Sequence, residues 1–220
     1  KRNGSNLHVL HLTTKKEMDQ FASGEIDTKK ITAEVCVHHL KYNEHDYVNL
    51  GNQIKCNPSI KREEDRAAVM AALLNDQIDI IATDHAPHTW EEKSRPYASA
   101  PAGLPLVQHA IQILLDFYHD GTLTLEHIVK KTSHNVAKRF KIRDRGYIRE
   151  GYFADIVVLD INKQHLVTQE SILYKCGWSP FMGKTFNSTI NMTIINGNIA
   201  FKNSKIQQNI PLGKRIEFSR

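Results

Sequence analysis

Cysteine is scarce in this chain, with Cys36, Cys56 and Cys176 as the only three. They form no C-x-x-C pair and leave an odd number, which argues against a disulfide framework or a cysteine zinc site and leaves reduced thiols as the simpler reading. Long apolar runs are lacking too. The longest fall far short of the roughly 18 to 20 residues a membrane helix needs, so no membrane partner is expected. Neither an initiator Met nor a signal-peptide pattern stands at Lys1, from which we expect a cytoplasmic protein whose amino end has been cut. Charge of one sign is not segregated either. The net charge is +5 and the pI near 9.0, yet basic residues are interleaved with acids everywhere except 138–145 (KRFKIRDR). That stretch reads as a solvated helix end, and no nucleic-acid partner is expected.

What is present reads as an ordinary globular chain. Its 220 residues, 40% hydrophobic and 24% charged, can bury a sizeable core, and no internal repeat or low-complexity tract interrupts them. Residues 6–13 (NLHVLHLT) alternate as a strand, with Val9, His11 and Thr13 on one face and His8, Leu10 and Leu12 on the other. Residues 14–22 follow as a helix capped by Thr14, and 31–37 (ITAEVCV) as a second strand, completing a βαβ unit. Apolar spacing over 63–74 predicts another helix, and 78–83 supply a third strand. Helices are expected over 106–118, 124–131 and 134–140. From Gly146 the character changes: 154–160, 189–195 and 198–202 read as short strands, the last two joined by Asn196-Gly197, a type I′ hairpin signal. The expected fold class is α/β, with a barrel segment over 1–146 and a small β-rich domain over 147–220. A (β/α)8 barrel takes eight strands and typically about 250 residues, so this chain is too short to close one.

The densest chemistry lies in 80–88 (IIATDHAPH), where a short apolar run delivers a carboxylate and two imidazoles into a proline-bent loop. Such a run reads as a parallel strand buried on both faces, and (β/α) barrels keep their active sites at the carboxyl ends of these strands. An ionised Asp84 at the edge of a dry core needs a metal, a cation or a cap to offset its desolvation. His88 four residues on favours chemistry over a plain loop cap. A lone strand histidine is more often structural than a ligand, so His11 gains weight only in company, and His8, facing the other way, less.

In company these residues resemble a family, the dihydroorotases of the amidohydrolase superfamily, especially the bacterial long-chain type. Residues 8–14 (HVLHLTT) look like its sixth barrel strand, 33–40 (AEVCVHHL) like its seventh, 55–58 (KCNP) like its Asn-Pro substrate segment, and 83–88 (TDHAPH) like its eighth-strand loop. Residues 101–103 (PAG), 146–160 (GYIREGYFADIVVLD) and 177–181 (GWSPF) extend the similarity, in the family's order, nearly to the end. Val37, Val136 and Met182 depart from the usual pattern without touching the chemistry. The first-strand His-x-His with its Arg, the bridging Asp or carboxylated Lys, and the fifth-strand His belong upstream of Lys1.

The resemblance implies the carboxyl-terminal part of a (β/α)8 TIM-type amidohydrolase barrel with a small β-rich domain. It further implies reversible hydrolysis of dihydroorotate to N-carbamoyl-aspartate, with two zinc ions per complete site. His11 and Asp84 are then metal ligands, and Asp84 is also the catalytic base and acid that moves a proton from the attacking water to the departing nitrogen. Asn57, His88, Ala102 and Gly103 bind the small-molecule substrate. His38 and His39, read as adjacent strand residues on opposite faces, are assigned to support, and His85 to structure. Ring opening is expected to strengthen as pH rises and closure as it falls. A homo-oligomer is compatible with this reading, and the isolated segment is expected to be inactive. Hydantoinases and allantoinases share the architecture and remain rivals, as does a catalytically silent scaffold subunit.

Overall fold

In the computed structural model, residues 3–207 and 213–219 are described. Three short parallel strands, β1 (Leu7–Val9), β2 (Ile31–Cys36) and β3 (Ile80–Ala82), form one sheet in the order β1-β2-β3. Leu7 pairs with Ile31 and Glu34 with Ile80, so β2 is the central strand. Its alternating side chains are buried on both faces, Thr32 and Cys36 on one and Ala33 and Val35 on the other, as a strand in a covered parallel sheet requires. Val37–Lys41 (α1) follows β2 directly, then come Tyr47–Leu50 (α2), Glu63–Leu74 (α3) and Trp90–Lys93 (α4). The α3 helix opens with three acids in its first turn, which suits the helix dipole, and buries Val69, Met70, Ala72 and Leu73. At the amino end of β3, the fully buried Asp79 accepts from Lys29 Nζ at 2.6 Å and from Ala33 N at 2.9 Å, so its charge is paired rather than stranded.

Chain order then gives Ala110–His119 (α5), Leu125–Val129 (α6) and Asn135–Phe140 (α7). The strands β4 (Ile156–Asp160), β5 (His165–Leu166), β6 (Thr185–Phe186), β7 (Thr189–Ile195), β8 (Asn198–Lys202) and β9 (Lys205–Ile206) complete the chain. An antiparallel sheet runs β4-β7-β8-β9, and β5 pairs with β6. Asn196 and Gly197 both take positive φ, 50° and 81°, as the type I′ hairpin between β7 and β8 demands. By contact, the described residues up to Leu114 together with Val167–Lys184 make one compact unit. Leu115–Leu166 with the described residues from Thr185 onward make another. The boundary expected near Tyr147 falls within the second of these units, between the last helix at Phe140 and the first strand of the antiparallel sheet at Ile156.

Several sequence expectations are corrected. The strand read over 6–13 ends at Val9, because His11 adopts a left-handed φ of 39° and the ladder resumes only where Leu12 N donates to Glu34 O at 2.9 Å. The helix after Thr14 is a single 3-10 segment, Lys15–Gln20, its entry held by the Glu17 carboxylate on Thr14 N and Oγ1. The two helices read over 124–140 are continuous: a π-helical turn, Lys130–His134, joins α6 to α7, since neither Gly nor Pro separates them. His38 and His39 do not end a strand on opposite faces. They lie within α1, both buried, with ring centroids 4.0 Å apart.

Candidate active site

The carboxyl ends of β1, β2 and β3 all lie at one edge of the parallel sheet, and every catalytic, metal-binding and substrate-binding residue expected from sequence follows one of those strands or a loop tied to them. At the β1 exit, His11 is half-buried in its left-handed conformation. Its neighbour His8 is fully engaged, with Nδ1 2.9 Å from Thr32 Oγ1 and Nε2 3.1 Å from Glu34 Oε2. Two ring nitrogens thus committed to protein partners make His8 structural.

The β3 exit is braced by backbone. Asp84, exposed, takes a φ of 46°. His85 Nδ1 accepts from Leu106 N at 3.0 Å and its ring stacks on Tyr174, while Ala86 N donates to Leu104 O at 3.1 Å. His88 Nε2 donates to Ala102 O at 3.1 Å, and the indole of Trp178 donates to His88 O at 2.7 Å. Gly103 N donates to Lys55 O at 2.8 Å, which ties this loop to the segment carrying Asn57. A Cβ on Gly103 would lie 2.4 Å from Ala86 O, and its φ of +137° also reserves the position for glycine. An open cleft of about 490 Å³ borders the same segment, lined in part by His85, His88, Glu92 and Tyr174. Of the catalytic, metal-binding and substrate-binding residues expected from sequence, only His88 reaches it.

One residue that organises this cluster was not legible from spacing. Lys93, 1% exposed, donates from Nζ to three carbonyl oxygens, Lys55 O at 3.1 Å, Pro101 O at 3.0 Å and Gly103 O at 2.9 Å. Burial pulls its pKa down to about 8. The Thr89-x-x-Glu92 capping box announces the short helix α4, but nothing in that signature says that its last residue turns inward.

His88, Ala102 and Gly103 are therefore brought together, with Asn57, exposed, two residues along from the carbonyl that Gly103 holds. Among the described residues, neither His11 nor Asp84 has a side-chain hydrogen bond to that knot or to the other. Strands about 4.8 Å apart place the β1 and β3 exits about 10 Å from one another, with the β2 exit between them. The charge of Asp84 is felt at Cys36 and Cys56, whose thiols burial already pushes up, and that of His11 at His38 and His39, whose imidazoles burial already pushes down.

An imidazole and a carboxylate are suitable donors for zinc. Neither side chain is committed to a hydrogen bond or ion pair among the described residues, and each sits on a left-handed backbone of the kind that clusters at functional sites. These observations fit two metal ions, one held from each of the two outer strands. Among the described residues, the group of three side chains close enough to share an ion is a different one, Cys36, His38 and His39.

Residues 6–200 match the model of the amidohydrolase family. A dihydroorotase of Clostridium acetobutylicum is 35% identical over 200 residues, 90% of this chain and 47% of the relative. Those of Fusobacterium nucleatum and Pyrococcus horikoshii are 36% and 34% identical, over 89% and 96% of this chain and 46% and 48% of their own lengths. The chain spans about half the length of the curated relatives it matches. Among solved structures, an L-hydantoinase (dihydropyrimidinase) from Arthrobacter aurescens superposes with a TM-score of 0.85 over 98% of this chain and 49% of its own, at 21% identity. A dihydropyrimidinase from Brevibacillus agri superposes with a TM-score of 0.79 over 92% and 46%, at 20% identity. At such identities the likeness speaks for the fold alone. With the parallel sheet, its loop chemistry and the family match over residues 6–200 in agreement, the chain belongs to the amidohydrolase family.

Proposed function

We propose that this chain supplies the carboxyl-terminal part of a dihydroorotase, which reversibly hydrolyses dihydroorotate to N-carbamoyl-aspartate. The observation that carries the reading is the knot at the β3 exit, where His88, Ala102, Gly103 and the Asn57 segment are held around the Asp84 loop. The relatives named dihydroorotase, at 34–36% identity, favour that substrate over the hydantoins of the structural neighbours. In this reading residues 1–146 act as the barrel segment and 147–220 as the small β-rich domain. The working compartment is the cytoplasm, and no helix among the described residues is long and apolar enough to cross a membrane.

His11 would hold one zinc ion and Asp84 the other, each from one of the two outer strands. When bound, zinc supplies Lewis acidity and a lowered pKa for the attacking water. The chain's own part is positional and protonic. Asp84 takes one proton from water and returns it to the amide nitrogen as the ring C–N bond breaks, so a single carboxylate serves as base and then acid. The imidazole of His88, oriented by the Ala102 carbonyl, and the side-chain amide of Asn57 orient the substrate's polar groups. The backbone at Ala102 and Gly103 lies against the ring, and the missing Cβ of Gly103 keeps that loop close to Ala86.

The further ligands that the family resemblance calls for are not among these residues. The test is therefore a zinc-loaded assay of this chain alone and of this chain mixed with the amino-terminal half of a dihydroorotase relative. Turnover of dihydroorotate in the mixture, absent from either half and lost in Asp84→Asn, is expected, with His88→Ala acting chiefly on KM. Preferential turnover of hydantoin or dihydrouracil would overturn the substrate assignment, and an active Asp84→Asn protein would overturn the mechanism.

A further inference from the structure

At the β2 exit the chain passes from Cys36 straight into α1, and three donor side chains end up buried together. Cys36 and His38 are 0% exposed and His39 is 4% exposed, and one ligand atom from each lies within 4.8 Å of the others. His39 Nε2 donates to Pro58 O at 3.0 Å, which fixes the tautomer and leaves Nδ1 as a bare lone pair with no partner. Neither ring nitrogen of His38 has a partner at all. Three orphaned nitrogens in so small a volume are unusual, because each buried polar group left unsatisfied costs about 1–3 kcal/mol.

The missing partner is defined by the donors. Burial keeps both imidazoles neutral, the form that has a lone pair to offer. An imidazole whose far N–H is tied to a backbone carbonyl, as His39 is to Pro58, is the usual second-shell arrangement of a metal-bound histidine. Burial is the main cause that keeps the Cys36 thiol protonated, with the Glu34 and Asp84 carboxylates adding to it, so a cation bound there must displace that proton. One sulfur and two imidazole nitrogens, with no oxygen among them, exclude magnesium and calcium and select a soft or borderline ion.

We propose that Cys36, His38 and His39 form a thiolate–imidazole site for one thiophilic d10 cation, Zn2+ or Cd2+, separate from any ion held by His11 and Asp84. On binding, the Cys36 S–H bond breaks, its proton leaves to solvent and a sulfur–metal bond forms, with no change of oxidation state. Three protein ligands leave the fourth tetrahedral position to water or to a further ligand. The site does not depend on the dihydroorotase reading, since the proposed metal ligands of that reaction offer nitrogen and oxygen only.

The difference in donors supplies the test. The metal-stripped chain is titrated with Cd2+ and with Co2+ while the ultraviolet thiolate-to-metal charge-transfer band is followed. We expect the band to saturate at one equivalent and to persist in the His11→Ala/Asp84→Asn double variant. It should vanish in Cys36→Ser, and His38→Gln should weaken Cd2+ binding at least about tenfold. Cys56 Sγ lies 3.8 Å from His39 Nε2 and is the competing thiol, so the Cys56→Ser/Cys176→Ser variant, with Cys36 as the sole cysteine, guards against misfolding of Cys36→Ser. A band kept there upholds the site, and its loss there, or metal binding without any thiolate band, overturns it. Hydrolytic activity, whether found or not, changes neither outcome.

Discussion

The β2 and β3 exits stand side by side in one sheet and solve opposite problems. After β3 the chain stays open: Asp84 is exposed, and order comes from backbone bonds, Ala86 to Leu104, Gly103 to Lys55, and the three carbonyls gathered by Lys93. After β2 the chain closes into α1 and buries Cys36, His38 and His39 with ring nitrogens left unpaired. A polar side chain kept free in water is cheap to hold, whereas the same chemistry buried is costly until something completes it. The β3 exit thus leaves its polar groups open to solvent, whereas the β2 exit leaves buried donors that only a bound partner would complete.

If the β3 exit is held by close backbone approach, filling that approach should do the most damage. Gly103→Ala places a Cβ 2.4 Å from Ala86 O on a backbone at φ +137°. We expect a loss of about 3 kcal/mol or more by chemical denaturation, and a change under about 1 kcal/mol would show that the loop relaxes freely. Lys93→Met comes next, because it strips a charged donor from three carbonyls, and about 2–3 kcal/mol is expected to go. The same residue sets a pH window. Its folded pKa of about 8 lies below the unfolded value of about 10.4, so between the two the unfolded chain binds more protons and stability rises with pH. Denaturation midpoints followed from pH 8 upward should show that rise in the parent and a flatter profile in Lys93→Met.

The contrast between the exits also explains what was legible in the sequence. The β3 exit declares itself, because a strand of apolar residues followed by Asp, Pro and two His is a local pattern, and apolar spacing also gives the bounds of the preceding helix α3. The hairpin at Asn196-Gly197 was legible for the same reason, since positive φ at both positions selects those residues. The β2 exit was misread, because alternation was carried two residues too far: a strand that becomes a helix at Val37 puts His38 and His39 into one buried cluster rather than on opposite faces. The left turn at His11 that ends β1 has no signature in composition, and neither has Lys93, whose role exists only where loops distant in sequence converge. What a sequence displays is local periodicity, and what it hides is which carbonyls end up without a donor.

A smaller effect separates the two exits by sign. His38→Leu removes two unpaired ring nitrogens from the β2 exit while keeping its volume filled. The metal-free protein should therefore gain about 1 kcal/mol by denaturant titration, the reverse of the usual cost of a core substitution. A loss of that size would mean that the ring already has a partner. Asp84→Asn sits at the opposite pole. The side chain is exposed and makes no hydrogen bond or ion pair among the described residues, so the denaturation midpoint should shift by no more than about 0.5 kcal/mol. The proposed reaction nonetheless assigns that carboxylate the proton transfer, so stability and turnover must part company there. A marked loss of stability in Asp84→Asn would place the residue in the bracing of the loop and remove the physical ground for treating it as a group kept free for chemistry.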